Sequence, residues 1–373
     1  MNTNAIATAT TEGLARSPVK VICLGEILLD CLANELGKSL ETVSSWTSYP
    51  GGAPANVACA LAKLGTPAAF IGCVGEDNSG RELVELLDSV GVKTTGIQYH
   101  ADAPTREVYV LRSHSGDRTF AGFGERPRVD ERRKRGVQAF EETSKDSPLG
   151  TREFGERQPD EFADAFLQAD KLPPELFLEA EFLVLGTLEL AYPQTREAIF
   201  RALKLAEEYH LKVVLDINWR PMFWRDPSEA LPIIEKLWEY VDFLKLAEEE
   251  AQWLFNTADA GTISYHLGSV EGVLVSNGDA NVSYCINDIE GIVTPFSVKV
   301  EDTTGAGDAF LAGFIHQLCQ IKMDSLDDAR VVKEIVTYAC AVGGLTTTQP
   351  GAIAAQPSRA EVEAFLEERS KLV

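Results

Sequence analysis

Short apolar segments alternate with longer amphipathic segments along most of this chain, and that alternation limits the folds available to it. The apolar segments, among them VICLG, FLVLG, VVLDI and FLKL, have the length and composition of buried strands. Segments with apolar residues at helical spacing, such as ANVACALAKLG, PQTREAIFRALKLAEEYH and PSEALPIIEKLWEY, lie between them, and GVLVSNG is expected to close the strand series. We therefore predict an α/β fold, a three-layer sandwich with a mainly parallel central sheet and helices on both faces. Ligands in such folds bind at the carboxyl ends of the strands.

Two stretches interrupt the alternation. From about residue 94 to about residue 123, the short segments TGIQYH, REVYVLR and RTFAGF are rich in β-branched and aromatic residues. We expect them to form antiparallel strands outside the main sheet and, with residues at about 40–50, a small β-sheet lid. Residues at about 124–160 are dense in charges of both signs and poor in apolar side chains, so we expect a mobile insertion. Its basic run Arg132–Arg135 is expected to be a solvated charge cluster.

Composition excludes several classes of function. The chain has 373 residues and a formal net charge of −23, which argues against a nucleic-acid-binding protein. No apolar run approaches the roughly 20 residues that cross a bilayer, and the N-terminus lacks the apolar segment of a secretory signal. We expect residues 1–18 to be a disordered tail, with an organellar transit segment as the alternative, and residues 19–373 to form one domain. The seven cysteines form no C-x-x-C pair, which favours buried free thiols in a reducing cytoplasm.

The segment DTTGAGDAF, at residues 302–310, carries the strongest chemical signal. Gly305, Ala306 and Gly307 directly precede an amphipathic helix, so their N–H groups are expected to be unpaired and reinforced by the helix dipole. Such a pocket binds anionic oxygen, including a phosphoryl group in transfer. Asp308 stands in the first helical turn beside it, where a carboxylate can accept a proton from an attacking hydroxyl. Taken alone, the segment also fits an ordinary helix start.

A second glycine-rich segment, GGAPANVA, lies far upstream. Gly51 and Gly52 let a ligand approach the backbone closely, and Pro54 suits the first turn of the helix that follows. Asn56 can present both a donor and an acceptor to sugar hydroxyls. Without the downstream segment, a glycine turn before a helix would be the preferred explanation of this pattern.

In this order and spacing, the two segments resemble the signatures of the ribokinase-like, or pfkB, carbohydrate kinase family. The resemblance extends over residues 19–368, apart from the charged insertion. It implies a ribokinase-like fold, ATP and Mg²⁺ in the active site, a small-molecule sugar as the phosphoryl acceptor and a homodimer formed through the lid.

The resemblance also implies roles for particular residues. The family's catalytic base falls on Asp308, and its anion hole falls on the backbone of Gly305, Ala306 and Gly307. Its early sugar-binding aspartate matches Asp30 in GEILLD. The residues that match its sugar-contacting loop are Gly51, Gly52 and Asn56.

Nucleotide and metal contacts follow the pattern less closely. Ser276 and Gly278 are candidate phosphate contacts, although valines stand where family members often carry a polar residue and a glycine. Gly344 matches the small residues that flank the adenine. In the family's N-x-x-E element, Glu250 keeps the acidic position that organises Mg²⁺ through water, whereas Ala247 replaces the asparagine. The positions that bind a monovalent cation such as K⁺ in some members are Asp302 and Thr304.

One further segment bears on the acceptor. DINWRPMFW, at residues 216–224, resembles the D-x-N-x-R…W segment of fructokinases and 2-keto-3-deoxygluconate kinases. It follows an apolar strand, so Asn218 and Arg220 are candidate ligands for sugar hydroxyls or phosphate oxygens; packing and ion pairing are the alternatives. The pattern favours D-fructose as acceptor and fructose 6-phosphate as product. Another sugar, an aldonate or a nucleoside remains an alternative acceptor, and a catalytically weak kinase-like regulatory protein is a second reading.

Overall fold

The computed structural model describes residues 18–40, 42–114, 118–124 and 157–371. The expected tail, apart from Pro18, and most of the expected insertion, including Arg132–Arg135, lie outside these residues. No helix in the part of the chain described here is long and apolar enough to cross a membrane.

Two β-sheets organise the described residues. The strands, in chain order, are β1 (Val21–Leu24), β2 (Leu28–Ala33), β3 (Trp46–Gly51), β4 (Ala68–Gly75), β5 (Lys93–His100), β6 (Glu107–Arg112), β7 (Arg118–Phe123), β8 (Phe182–Leu185), β9 (Lys212–Asp216), β10 (Phe243–Ala247), β11 (Gly272–Ser276), β12 (Val282–Ile286) and β13 (Ile289–Val293). The large sheet has nine of them within the described ranges, in the order β13-β12-β11-β10-β9-β8-β1-β4-β5. From β11 to β5 every pairing is parallel, and β12 and β13 add an antiparallel hairpin at one edge.

Helices cover both faces of the large sheet. They are α1 (Ala53–Leu64), α2 (Asn78–Val90), α3 (Pro174–Glu179), α4 (Pro193–Tyr209), α5 (Ala230–Ile234), α6 (Glu248–Phe255), α7 (Ala260–Leu267), α8 (Ala306–Leu318), α9 (Ala329–Thr346) and α10 (Arg359–Ser370). One apolar core joins α1, α2, α8 and α9 to one face, and a second joins α3 to α7 to the other. The predicted three-layer α/β sandwich with a mainly parallel sheet is confirmed.

The small sheet, β3-β2-β6-β7, stands apart from the large one. The prediction of a second β-sheet is confirmed, but its expected composition was partly wrong. Residues 28–33 form a central strand that pairs antiparallel with β3 and parallel with β6, so the sheet is not wholly antiparallel. The alternation of buried and half-buried residues in β2 follows closely after the buried strand β1. In the sequence, so short a pattern does not distinguish a new strand from a continuation of β1.

Three other expectations need correction. TGIQYH does not lie in the small sheet: it belongs to β5, which pairs parallel with β4 because the β4-α2-β5 crossover returns the chain to the same sheet. The strand series does not end with β11 but continues into the hairpin β12-β13. The single helix expected in PSEALPIIEKLWEY is a short α5 flanked by 3₁₀ turns, since Pro232 lacks the N–H that would extend a regular helix.

Candidate active site

The helix α8 begins with a loop that leaves backbone N–H groups available. Gly305, its N-cap, has φ +76°, and a Cβ atom there would lie 2.7 Å from the Cβ of Ala352. The N–H of Ala306 donates to the carbonyl of Thr303 at 3.3 Å. Among the described residues, the structure shows no acceptor for the N–H groups of Gly305, Gly307 and Asp308. With the helix dipole behind them, these groups can bind an anion.

Asp308 projects from the first turn of α8 and contacts the segment that follows Gly51 and Gly52. The amide nitrogen Nδ2 of Asn56 donates a hydrogen bond to Oδ2 of Asp308 at 2.8 Å. Asn56 is buried, its Oδ1 has no partner among the described residues, and its backbone carbonyl accepts from Nε2 of Gln356 at 2.8 Å. The two sequence signatures, 252 residues apart, are therefore in direct contact.

The surroundings of Asp308 make its carboxylate more basic. Burial, followed by the negative charge of Asp216, raises the pKa of Asp308 from 3.8 to about 6. The hydrogen bond from Asn56 and the positive charges of Lys245 and Arg220 oppose that rise. A carboxylate with a pKa near neutrality accepts a proton at physiological pH more readily than an ordinary aspartate does.

Gly51 and Gly52 lie close to Asp30 and to the segment before it. The register of β2 and β3 pairs Leu28 with Gly51, and a Cβ atom at Gly51 would collide with Oδ2 of Asp30. Gly52 has φ +105°, and a Cβ atom there would collide with the carbonyl oxygen of Glu26. Both glycines are required by close approach, and Asp30 reaches the loop because nothing larger stands at position 51.

Glu26 is a site residue that the sequence analysis missed. It is buried, its Oε1 accepts from the N–H of Ala53 at 2.8 Å, and its Oε2 has no partner among the described residues. Burial raises its pKa to about 8, with Asp308 among the charges that contribute. Glu189 is similar, since both its carboxylate oxygens are buried without a partner in the described part of the chain, and burial and nearby acids including Glu26 raise its pKa. The available signal for both was an acidic residue within a few positions of the end of a buried strand, β1 for Glu26 and β8 for Glu189.

Lys245 is a second residue that the sequence analysis missed. It lies within the buried strand β10, and its Nζ contacts Oδ1 and Oδ2 of Asp216 at 2.9 and 3.0 Å. The Nζ atom would be 3.2 Å from a Cβ atom at Gly307, so it lies beside the start of α8. The available signal was a charged residue inside the otherwise apolar run FLKL.

The segment after β9 lies close to the start of α6. Asn218 is half-buried with φ +39°, whereas Arg220 is exposed and close enough to Asp308 to lower its pKa. Glu250 accepts from the N–H of Trp219 at 2.6 Å and from the N–H of Ala247 at 2.7 Å. Its carboxylate therefore joins the loop after β9 to the first turn of α6.

The predicted nucleotide residues stand at two places. Ser276 ends β11 beside Ala247 of β10, with its Oγ 3.4 Å from the carbonyl of Leu246, and Gly278 has φ +52° with open space around its α-carbon. Gly344 on α9 is likewise open. Its neighbour Gly343 packs against α8, since a Cβ atom there would lie 3.0 Å from the carbonyl oxygen of Ala306.

The described residues offer no ready-made cage for a metal ion. They contain no group of at least three His, Cys, Asp and Glu side chains suited to holding one. Asp302 accepts from both the N–H and the hydroxyl of Thr304 at 3.0 and 2.7 Å, and from the N–H of Gly351 at 3.1 Å. A Mg²⁺ ion would need few carboxylates here, because it keeps most of its waters and is held mainly by substrate phosphates.

Several known proteins resemble this chain in sequence and in fold. Fructokinase-1 of Zea mays is 31% identical over 350 residues, which cover 93% of this chain and 97% of the maize protein. The crystal structure of fructokinase with bound ATP from Xylella fastidiosa superposes with a TM-score of 0.78 at 27% identity, covering 94% of this chain and 99% of that one. A fructokinase double mutant from Vibrio cholerae O395, in a fructose-, ADP- and potassium-bound form, has a TM-score of 0.74 at 26% identity, again covering 94% and 99%. The sequence profile of the pfkB family carbohydrate kinases matches residues 19–143 and 146–359. The chain belongs to the pfkB carbohydrate kinase family.

Proposed function

We propose that this protein is an ATP-dependent fructokinase that phosphorylates the primary hydroxyl of D-fructose to give fructose 6-phosphate. The observation that carries the proposal is the position of Asp308. Its carboxylate, with a pKa near 6, lies in the helical turn that also carries the available N–H groups of Gly305 and Gly307. A proton acceptor beside an anion-binding loop is what transfer of a phosphoryl group to a hydroxyl requires.

Asp308 accepts the proton of the fructose hydroxyl as its oxygen forms a bond to the γ-phosphorus of ATP. The bond between that phosphorus and the β,γ-bridging oxygen breaks, and ADP leaves with the electron pair. The backbone of Gly305, Ala306 and Gly307 stabilises the charge on the transferring group, with Ala306 contributing once its N–H turns away from Thr303.

We assign the remaining predicted residues to binding. Asp30, Gly51, Gly52 and Asn56 would bind the acceptor, and the contact between Asp30 and Gly51 supports this assignment. Ser276, Gly278 and Gly344 would contact ATP, since the first two follow a parallel strand at its carboxyl end and Gly344 is open. Asn218 and Arg220 remain candidates for hydroxyl or phosphate contacts.

Mg²⁺ would neutralise charge on the ATP phosphates when bound. Glu250 is the proposed protein contact, through water, because each carboxylate oxygen keeps a lone pair beyond its backbone hydrogen bond. For K⁺, the proposed positions are Asp302 and Thr304, and the potassium-bound relative from Vibrio cholerae supports that choice.

Charge near the site favours a neutral acceptor over an aldonate or a sugar phosphate. The buried cations Lys245 and Arg106 are each bonded to a carboxylate, of Asp216 and Asp164 respectively. By contrast, Glu26 and Glu189 have buried oxygens that no described residue satisfies. An anionic acceptor would add a second negative charge beside the Asp308 carboxylate, whereas sugar hydroxyls can donate to the unsatisfied oxygens of Glu26 and Glu189.

A second candidate is a regulatory protein with little turnover. Ala247 in place of the family's asparagine favours it, as does the engagement of both Glu250 oxygens by backbone N–H groups. The contact between Asn56 and Asp308 favours the enzyme instead, since the proposed proton acceptor then lies beside a proposed acceptor-binding residue.

The proposed setting is the cytoplasm, and the proposed assembly is a homodimer through the small sheet. All seven cysteines are buried free thiols, as expected in a reducing compartment. Tyr49, on the edge strand β3, is an exposed aromatic residue that a partner could cover.

An assay of ADP release would test the function. Fructose, ribose, 2-keto-3-deoxygluconate, adenosine and fructose 6-phosphate would each be supplied with ATP and Mg²⁺. Turnover with fructose, and a phosphorus NMR spectrum of the product showing a primary phosphate ester, is the expected result. A preference for the aldonate or for the sugar phosphate would refute the neutral-acceptor argument, and silence with ATP binding retained would favour the regulatory reading.

A further inference from the structure

A lysine stands in the interior of a strand that is otherwise apolar. Lys245 is the third residue of β10, and its exposed fraction is only 7%. Burying an ammonium group is costly unless its charge and hydrogen bonds are satisfied. Burial alone would lower the pKa of Lys245, but Asp216, Glu250 and Asp308 raise it, so the side chain is a cation at physiological pH.

The partner of Lys245 is fixed by sheet register. Lys245 and Asp216 are paired positions on the neighbouring parallel strands β10 and β9. Side chains at paired positions point to the same face, here the face that α8 covers. Both Asp216 oxygens accept from the ammonium, at 2.9 and 3.0 Å. A lysine ammonium has a further N–H, and no described residue of this chain accepts it.

That ammonium lies beside the proposed anion hole. Its Nζ would be 3.2 Å from a Cβ atom at Gly307, the residue before Asp308. Two residues further along β10, Ala247 occupies the position where the family pattern has an asparagine. The chain therefore lacks one polar group near the phosphates and holds a buried cation close by.

We propose that Lys245, oriented by Asp216, donates a hydrogen bond to the phosphoryl group during its transfer beside Gly307. This inference rests on the proposed function. Lys245 is then a catalytic residue, and Asp216 is a positioning residue that acts through it. The cation stabilises charge on the oxygens of the γ-phosphorus as the bond to the acceptor oxygen forms and the bond to ADP breaks. The proton of the acceptor still goes to Asp308.

The competing explanation is that Lys245 only neutralises Asp216. The two explanations differ in one variant. If the ammonium serves the aspartate alone, removing both charges in Asp216→Asn/Lys245→Met should restore turnover. If the ammonium serves the phosphoryl group, the double variant should remain as slow as Lys245→Met.

The experiment compares four proteins in the fructose assay: the wild type, Lys245→Met, the double variant, and Lys212→Met as a matched control. Lys212 pairs with Asp242 at 2.9 Å, on the same two neighbouring chain segments but at the amino end of the sheet. We expect kcat to fall about 10²–10³-fold in both Lys245 variants, with the KM for fructose changed by less than about threefold. The Lys212→Met protein should turn over at the wild-type rate.

Recovery of kcat to within about tenfold of wild type in the double variant would overturn the proposal. If Lys245→Met does not fold, because Asp216 is left buried without its partner, the double variant decides alone. Calorimetry of ADP with aluminium fluoride, a mimic of the transferring group, separates this proposal from the proposed function. If the wild-type protein phosphorylates no sugar but binds this mimic at least tenfold more tightly than both Lys245 variants do, only the fructokinase assignment is refuted. Equal binding by all of them would refute the role of Lys245.

Discussion

Asn56 donates a hydrogen bond from Nδ2 to Oδ2 of Asp308 across 2.8 Å, and this bond joins the first turn of α1 to the first turn of α8. It stabilises the charged form of the carboxylate and fixes one of its oxygens. The unpartnered Oδ1 of Asn56 is left for a ligand. A substrate hydroxyl bound there would lie next to the proposed proton acceptor.

Removing this bond should change the pH dependence of the reaction. Since Asn56 lowers the pKa of Asp308, Asn56→Ala should raise that pKa above about 6. The rising limb of kcat/KM against pH should move to higher pH, by up to about one unit. Gln356→Ala, which removes only the bond to the backbone carbonyl of Asn56, is the control and should leave the limb in place. A limb that does not move in Asn56→Ala would argue that Asp308 is not the titrating group.

Gly51→Ala should weaken acceptor binding without weakening ATP binding. The new Cβ atom would collide with Oδ2 of Asp30, so the aspartate has to turn away from the loop. We expect the KM for fructose to rise at least about tenfold, the effect of losing roughly one charge-assisted hydrogen bond. In the control Gly91→Ala, the φ of +98° strains the backbone, but an added Cβ atom meets nothing within 4 Å. That variant should lose stability but keep the wild-type KM for fructose. If the KM for fructose is the same in both variants, Asp30 does not bind the acceptor.

Much of this arrangement could be predicted from the sequence. The alternation of strands and helices predicts the three layers, because periodicity is a local property of the chain. The glycines at 51, 52 and 305 were recognisable because close approach or positive φ permits little else there. Local patterns could not show that β5 joins the large sheet, since an edge strand with one exposed face resembles a strand of a separate small sheet.

The polar interior was the harder part to predict. Lys245 and Asp216 lie 29 residues apart, and nothing in either segment shows that strand register makes them neighbours. The same holds for Glu26, whose role depends on the distant N–H of Ala53. Register and tertiary packing decide such contacts, and a single sequence does not encode them in a pattern that can be read locally.

Asp308 should reduce stability, because its folded pKa of about 6 lies above its ordinary value of 3.8. The folded protein then holds the proton more tightly than the unfolded chain, so the loss of stability grows as the pH rises from about 4 to about 6 and is complete above that. Asp308→Asn should be more stable than wild type by about 3 kcal/mol at about pH 8, and by roughly half as much at about pH 5. Thermal unfolding at both values tests this. A gain that does not depend on pH would contradict the elevated pKa.

Arg106 should be essential for the attachment of the small sheet. Its guanidinium is buried, bonds both oxygens of Asp164 at 2.5 and 2.6 Å, and lies within 5.2 Å of the ring centroids of Phe123, Phe162, Tyr192 and Phe223. Arg106→Leu leaves a buried carboxylate unpaired and should cost about 3–5 kcal/mol in the free energy of unfolding. Arg359→Met removes the exposed pair with Glu363 and should cost less than about 1 kcal/mol. Comparable losses in the two variants, measured by urea denaturation, would show that the buried pair has no special weight.

Asp308 is proposed to take the proton from the acceptor hydroxyl. A single-turnover measurement of phosphoryl transfer from radiolabelled ATP to fructose, in the wild type and in Asp308→Asn, tests this role, with ATP affinity measured in parallel. We expect the transfer step to slow about 10²–10⁴-fold while ATP affinity stays within about threefold. Transfer at close to the wild-type rate in Asp308→Asn would contradict the role of Asp308 as proton acceptor.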